Sequence, residues 1–74
     1  MRRPTWKKVE STSLDYVWYD RKERILHVLF NSGHYYVYYD VSYYRYRKLM
    51  KAESKGRYFY YHIRMKYVYR RIDY

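Results

Sequence analysis

The chemistry of this chain is concentrated in one stretch, AESKGRYFYYHIRMKYVYR, from Ala52 to Arg70. Its nineteen positions hold five tyrosines and five lysines or arginines. Cations of this kind meet phosphates, and rings or guanidinium planes stack on bases. RNA recognition relies on such stacking, because unpaired bases can splay onto aromatic side chains. Tyrosine and arginine are also the residues favoured at protein–protein hot spots. Two partner classes therefore stand open: a nucleic acid, RNA ahead of DNA, or an acidic protein surface.

Other constellations carry less. His27, His34 and His62 lack metal-ligand spacing, and the chain has no cysteine to complete a zinc site. His27 and His34 differ by an odd number on what reads as a hairpin, so they should point apart. The carboxylates Glu10, Asp15, Asp20, Glu23, Asp40, Glu53 and Asp73 form no pair placed for acid–base work, and most fall at expected turns or termini. Ser54-Lys55-Gly56 lacks the flanking glycines of a phosphate loop and reads as a helix-capping sequence. The expectation is no catalytic residue set, no metal and no cofactor: a binding protein and not an enzyme.

The elements that must position these side chains belong to one small domain, since the chain has 74 residues. Without disulfides, its core must come from large side chains. Aromatics make up 26% of the chain, and 15 of them are Tyr. Tyr buries a ring but keeps a polar tip, so some of these rings must lie at the surface. No signal peptide is expected, because no apolar region follows Met1-Arg2-Arg3-Pro4. No apolar run approaches the ~18 residues of a membrane span. A cytoplasmic protein without membrane partners is the expectation.

The net charge of +10 is segregated. Residues 1–10 carry four basic and one acidic group, residues 11–40 three and four, and residues 41–74 ten and two. Solubility alone would not require that asymmetry, which points to a polyanionic partner.

Residues 1–10 read as a basic arm anchored by Trp6. From Leu14 to Asp40 the pattern is strand, turn, strand, turn, strand. Strands are expected around Val17–Tyr19, at Ile25–Phe30 and at Tyr35–Tyr39, with Asp20–Glu23 as the first turn. Asn31-Ser32-Gly33 suits a three-residue hairpin loop. That loop sets Phe30 opposite His34, Val28 opposite Tyr36 and Leu26 opposite Tyr38. Leu26, Val28, Phe30, Tyr36 and Tyr38 then share one face; Ile25, His27, Leu29, Tyr35, Val37 and Tyr39 share the other. The first face should lie beneath the helical half. The second should be covered by Trp6 and the arm, or by a second copy in a homodimer.

Ser42 is placed to cap a helix that presents Tyr46, Leu49 and Met50, with Gly56 as its stop. Phe59, Ile63 and Tyr67 repeat every four residues, which predicts a second, shorter helix with that stripe in the core. The fold expected is α+β: a three-stranded antiparallel meander, one main helix and a shorter C-terminal helix. Off the stripe stand Lys55, Arg57, Tyr60, Tyr61, Arg64, Lys66, Arg70 and Arg71, the candidate nucleic-acid-binding residues.

From about Ser11 to Ile72 the chain resembles the KTSC domain. This small module is named for its place at the C-terminus of some lysyl-tRNA synthetases and is also found as a stand-alone protein. The matching residues begin with Val17, Tyr19-Asp20, Leu26-x-Val28-x-Phe30, Gly33, Tyr36, Tyr38 and Val41. They continue through Tyr46, Leu49, Ala52, Ser54-x-Gly56-x-Tyr58-Phe59, Ile63-Arg64 and Tyr67. The A-x-S-x-G-x-[YF]-F segment is the most specific part. Three positions depart from the family pattern: Ser42 replaces a usual Pro, Tyr60 a usual Asn, and Arg45 a usual apolar residue. The resemblance implies a KTSC-like domain over residues 11–74 behind the arm. Fusion to a tRNA synthetase implies RNA binding, and the family brings no catalytic residues with it. The function expected is a nucleic-acid-binding module acting through its basic, Tyr-rich C-terminal surface. The alternative is a small adaptor or inhibitor docking on an acidic protein.

Overall fold

In the computed structural model, which describes residues 4–72, the chain is a small α+β domain. The strands are β1 (Lys7–Lys8), β2 (Leu14–Asp20), β3 (Ile25–Phe30), β4 (Tyr35–Tyr38) and β5 (Tyr69–Ile72). Between β4 and β5 lie α1 (Tyr43–Lys51) and α2 (Lys55–Phe59), the latter running on as a π turn over Tyr60–Arg64. All five strands form one antiparallel sheet in the order β1-β2-β3-β4-β5. Residues 1–3 of the expected arm, and residues 73–74 of the expected domain, lie outside the described residues.

The expected meander is its centre. Val28 pairs with Tyr36 and Leu26 with Tyr38. Gly33, at φ +93, donates its N–H to the Phe30 carbonyl and closes the three-residue loop. A residue with a side chain would be strained at that φ. Between Leu14 and Tyr16 the β2–β3 register shifts by one residue. This bulge turns Leu14 onto the same face as Val17, and both are fully buried.

Three corrections concern the elements. The sheet has five strands, not three, and the second helix is not C-terminal, because β5 follows it and pairs with β4. β1 is too short to show alternation, and the two arginines of β5 disguise it as a polar segment. Nor is Gly56 the stop of the first helix. That helix ends at Lys51, because Ala52 adopts an extended conformation. Ser54 then caps α2 by accepting from the Arg57 N–H at 3.4 Å. Gly56 sits in the first turn of α2, where a Cβ would meet the Oγ atoms of Ser11 and Ser13 at 3.0 Å. Its bare backbone lets α2 lie against the loop that leads into β2. That loop is itself braced, since Ser11 Oγ accepts the N–H groups of Ser13 and Leu14, both at 3.2 Å.

Ser42 does cap α1, its Oγ accepting from the Arg45 N–H at 3.1 Å. The core lies between the helices and one sheet face. Leu14, Val17, Leu26, Val28 and Tyr38 from the strands meet Val41, Tyr46, Leu49, Phe59 and Ile63. Val9, just past β1, is buried in the same cluster. Each fully buried aliphatic side chain contributes about 1.5–3 kcal/mol relative to exposure. Phe59 meets Phe30 and Tyr38 edge-on, with ring centroids 5.5 and 5.2 Å apart.

On the opposite sheet face Trp6 meets Trp18, His27 and Tyr35, with centroids 6.4, 6.3 and 5.4 Å away. Trp18 stacks on His27 at 4.0 Å, and His27 Nδ1 lies 2.7 Å from the Tyr35 hydroxyl. Burial lowers the His27 pKa, because the charged imidazolium would lose its water.

Candidate nucleic-acid interface

α2 and its π turn place most of the candidate residues. Lys55, half-buried, donates through Nζ to the Ala52 carbonyl at 3.1 Å and so serves the chain turn before α2. Arg57 is exposed and shares a shallow hollow with Glu53, Tyr58, Tyr61 and His62. Tyr60 and Tyr61 are exposed and touch edge to face, 5.2 Å between centroids. The Arg64 guanidinium lies 5.4 Å from the Tyr60 ring centroid, a distance suited to cation–π attraction. Lys66 is exposed in the turn that follows.

The π turn matters here. Such turns are rare and recur at functional sites. Phe59 and Ile63 are buried on its inner side, and Tyr67 packs against the core as the four-residue spacing predicts. Tyr60, Tyr61 and Arg64 remain on the outer side.

β5 separates the last two candidates. Arg70 pairs with Val37 and Arg71 with Tyr36, so alternation sends them to opposite faces of the sheet. Arg71 stands on the helix-bearing face with Tyr69, and Arg70 on the face that carries Trp18 and His27. The structure thus gathers Arg57, Tyr60, Tyr61 and Arg64 along one helix, with Lys66 just beyond, and does not bring Arg70 to them.

Beside that helix a cleft of about 760 Å³ opens where the helices stop short of the sheet's edge. Phe30, Tyr36, Tyr38 and Tyr69 supply its rings, while Arg64 and Met65 stand at the helical side. Tyr69 lies 5.7 Å from Tyr36 and 5.8 Å from Tyr38 between centroids. Ser13, Asn31, Ser32 and His34 line the hairpin end. Burial raises the pKa of the Tyr38 hydroxyl, with Arg64 opposing that effect, so this phenol stays protonated and can donate. Reading the sequence alone assigned Tyr36 and Tyr38 to the covered face; Tyr38 is buried there, but Tyr36 is only partly covered, and the cleft was missed because Tyr69 was not assigned to the sheet. The signal lay in the arithmetic of cover: two short helices cannot roof a whole sheet.

A second basic cluster surrounds Tyr43 at the start of α1. The Arg21 guanidinium lies 3.9 Å from its ring centroid, and Arg47 Nη1 donates to its hydroxyl at 3.3 Å. The hydrogen bond from Arg47 lowers the Tyr43 pKa; burial works against it, and the Arg47, Arg21 and Lys7 charges lower it further.

Among the described residues no group of three His, Asp or Glu could hold a metal ion. No helix among them is long and apolar enough to cross a membrane.

Comparison with known proteins supplies a family and a solved relative. A family model for the KTSC domain matches residues 10–67. The crystal structure of a KTSC domain protein from Yersinia pestis superposes with a TM-score of 0.91 at 30% sequence identity, covering 96% of this chain and 100% of that one. No significant match was found among curated proteins.

Proposed function

The chain belongs to the KTSC domain family, and from that premise we propose that it is a nucleic-acid-binding module for single strands, RNA ahead of DNA, at work in the cytoplasm. The observation that carries this reading is a set of cations without carboxylate partners beside exposed rings. Two ion pairs among the described residues, Lys8–Asp15 and Arg24–Asp40, lie away from α2. Arg57, Arg64 and Lys66 have no carboxylate partner there, and Tyr60 and Tyr61 stand next to them with their rings in solvent. Cations left uncompensated on a protein of net charge +10 attract a polyanion, and the rings favour one whose bases are unpaired.

Titrating a labelled single-stranded RNA by fluorescence anisotropy at two salt concentrations tests the reading. Affinity should fall as salt rises. Arg57→Ala and Lys66→Ala should each weaken binding across all sequences and flatten the salt slope by about one unit. The same titration with DNA of matched sequence measures the preference for RNA. Absence of any salt-dependent binding would overturn the reading in favour of an adaptor or inhibitor that docks on an acidic protein.

A further inference from the structure

We propose that the cleft between the tyrosine strands and the end of the π turn, walled by Tyr36, Tyr38 and Tyr69 and edged by Arg64 and Met65, receives an unpaired nucleobase of the bound strand. The inference rests on the single-strand reading above and adds where a base is read.

Size and lining both support it. At about 760 Å³ the cleft falls within the roughly 300–1,000 Å³ of small-ligand sites. Its lining combines the rings of Phe30, Tyr36, Tyr38 and Tyr69 with polar side chains at the hairpin end, and small-ligand sites likewise join apolar and aromatic walls to placed polar groups. Among the described residues no aspartate or glutamate lines it.

Arg64 links the cleft to the helix. Its guanidinium lies near Tyr60 on the outside and also forms part of the cleft rim. A phosphate held by Arg64 would carry its base within reach of the cleft. The outer rings are poorer sites. Tyr60 and Tyr61 lie edge to face against each other, and the Arg64 guanidinium lies over the Tyr60 ring, so part of this ring surface is already taken. In the cleft a base meets Tyr69 and Tyr36 on the sheet side and Met65 on the helix side.

The hairpin end supplies polar partners. Asn31 Nδ2 donates to the Thr12 carbonyl at 2.7 Å, which orients the amide and leaves Oδ1 as an acceptor. With His34 and Ser32 beside it, this end could read the polar edge of a base.

The test uses the full chain and a single-stranded RNA of about 12 nucleotides, within the usual site sizes, carrying one 2-aminopurine. Anisotropy reports binding, and quenching of the 2-aminopurine reports stacking. Tyr69→Ala removes one wall, and Met65→Glu puts a negative charge at the mouth. Met65 is 67% exposed, so its replacement leaves the core intact. Each variant should weaken binding by about tenfold or more and abolish the quenching, while Tyr61→Ala has a smaller effect. Circular dichroism melts confirm that the variants are folded. If the wild type binds and quenches but Met65→Glu and a folded Tyr69→Ala do the same, the cleft is not the base site and the single-strand reading survives. If Tyr61→Ala alone abolishes quenching, the base stacks on the helix and the cleft assignment falls. If the wild type binds no single strand, the functional reading fails, and the cleft assignment with it.

Discussion

Two halves of one sheet face have been put to different uses. Over β2 and β3 the centre of the face is aliphatic and closed: Leu14, Val17, Leu26 and Val28 have at most 1% of their surface exposed beneath Leu49, Phe59 and Ile63, with the partly buried rings of Tyr19 and Phe30 at its margins. Over β4 and β5 the same face is built of Tyr36, Tyr38, Tyr69 and Arg71; Tyr38 is buried against Phe59, but Tyr36 is only partly covered and Tyr69 stays open beside Arg64 and Met65. Strand geometry does not differ between them; the helical cover does. Aliphatic side chains must be roofed to contribute fully. Tyrosines tolerate partial cover, because the ring packs while the hydroxyl keeps its water. A short chain can thus extend its sheet past its helices and gain a concave surface.

The comparison can be broken most severely from the roof. Phe59→Ala should cost about 3–5 kcal/mol and leave so small a domain largely unfolded, as urea denaturation would show. A cooperative transition near the wild-type midpoint would mean that Phe59 does not hold the closed half. The seam between α2 and the loop before β2 is next. Gly56→Val would drive its side chain into Ser11 and Ser13 and should cost about 1–3 kcal/mol by thermal melting. The open half should be cheap to alter. Tyr69→Ala loses cross-strand ring contacts only, at about 0.2–1 kcal/mol, so its unfolding curve should nearly overlay the wild type. A loss as large as that of Phe59→Ala would erase the distinction between the halves.

Arg45 sharpens the comparison further, as a charge set near the closed half. Its Nη1 donates to the Tyr58 hydroxyl at 2.9 Å, and its pKa is raised first by that bond and next by a bond with Tyr67. Its Nε is buried without a partner among the described residues. Replacing Arg45 removes the unmet Nε but also the bonds to the Tyr58 and Tyr67 hydroxyls, two effects of opposite sign. Arg45→Leu should therefore change stability by less than about 1 kcal/mol, and chemical denaturation can set its sign.

The smallest effect belongs to the opposite sheet face. The His27 pKa is lowered in the folded chain, chiefly by burial, with Asp20 pulling the other way. The unfolded chain therefore takes up the proton first as pH falls. The stability held in neutral His27 is complete above the ordinary imidazole pKa of about 6.5 and is lost as pH drops through that value towards the lowered one. Melting temperature should decline over that window, and His27→Phe should flatten the decline.

Much of the closed half was legible, because local rules decide it. Gly33 sets the hairpin register, Ser42 starts α1, and the spacing of Phe59 and Ile63 marks the inner side of the second helix, with Tyr67 packed on the core just past its end. The open half was hidden for a physical reason. Tyr69-Arg70-Arg71-Ile72 becomes a strand because the edge of β4 offers unpaired backbone groups, a tertiary cause that a polar tetrapeptide does not advertise. Gly56 was misread likewise. Glycine ends helices often, but here what counts is close approach to Ser11 and Ser13, far away in sequence. Arg70 and Arg71 looked like one basic surface until β5 turned them to opposite sides.

The strand order carries a kinetic consequence. β2, β3 and β4 are joined by short turns, so their pairing closes only small loops and can form early. β5 reaches β4 only after α1, α2 and the π turn have been laid down, the longest closure between any two paired strands of this sheet. Tyr69 is therefore a late arrival on the folding path, and its edge strand should fray before the centre does. Amide protons of β5 should exchange with solvent well ahead of those in β3, and a strand held in the cleft should slow them selectively.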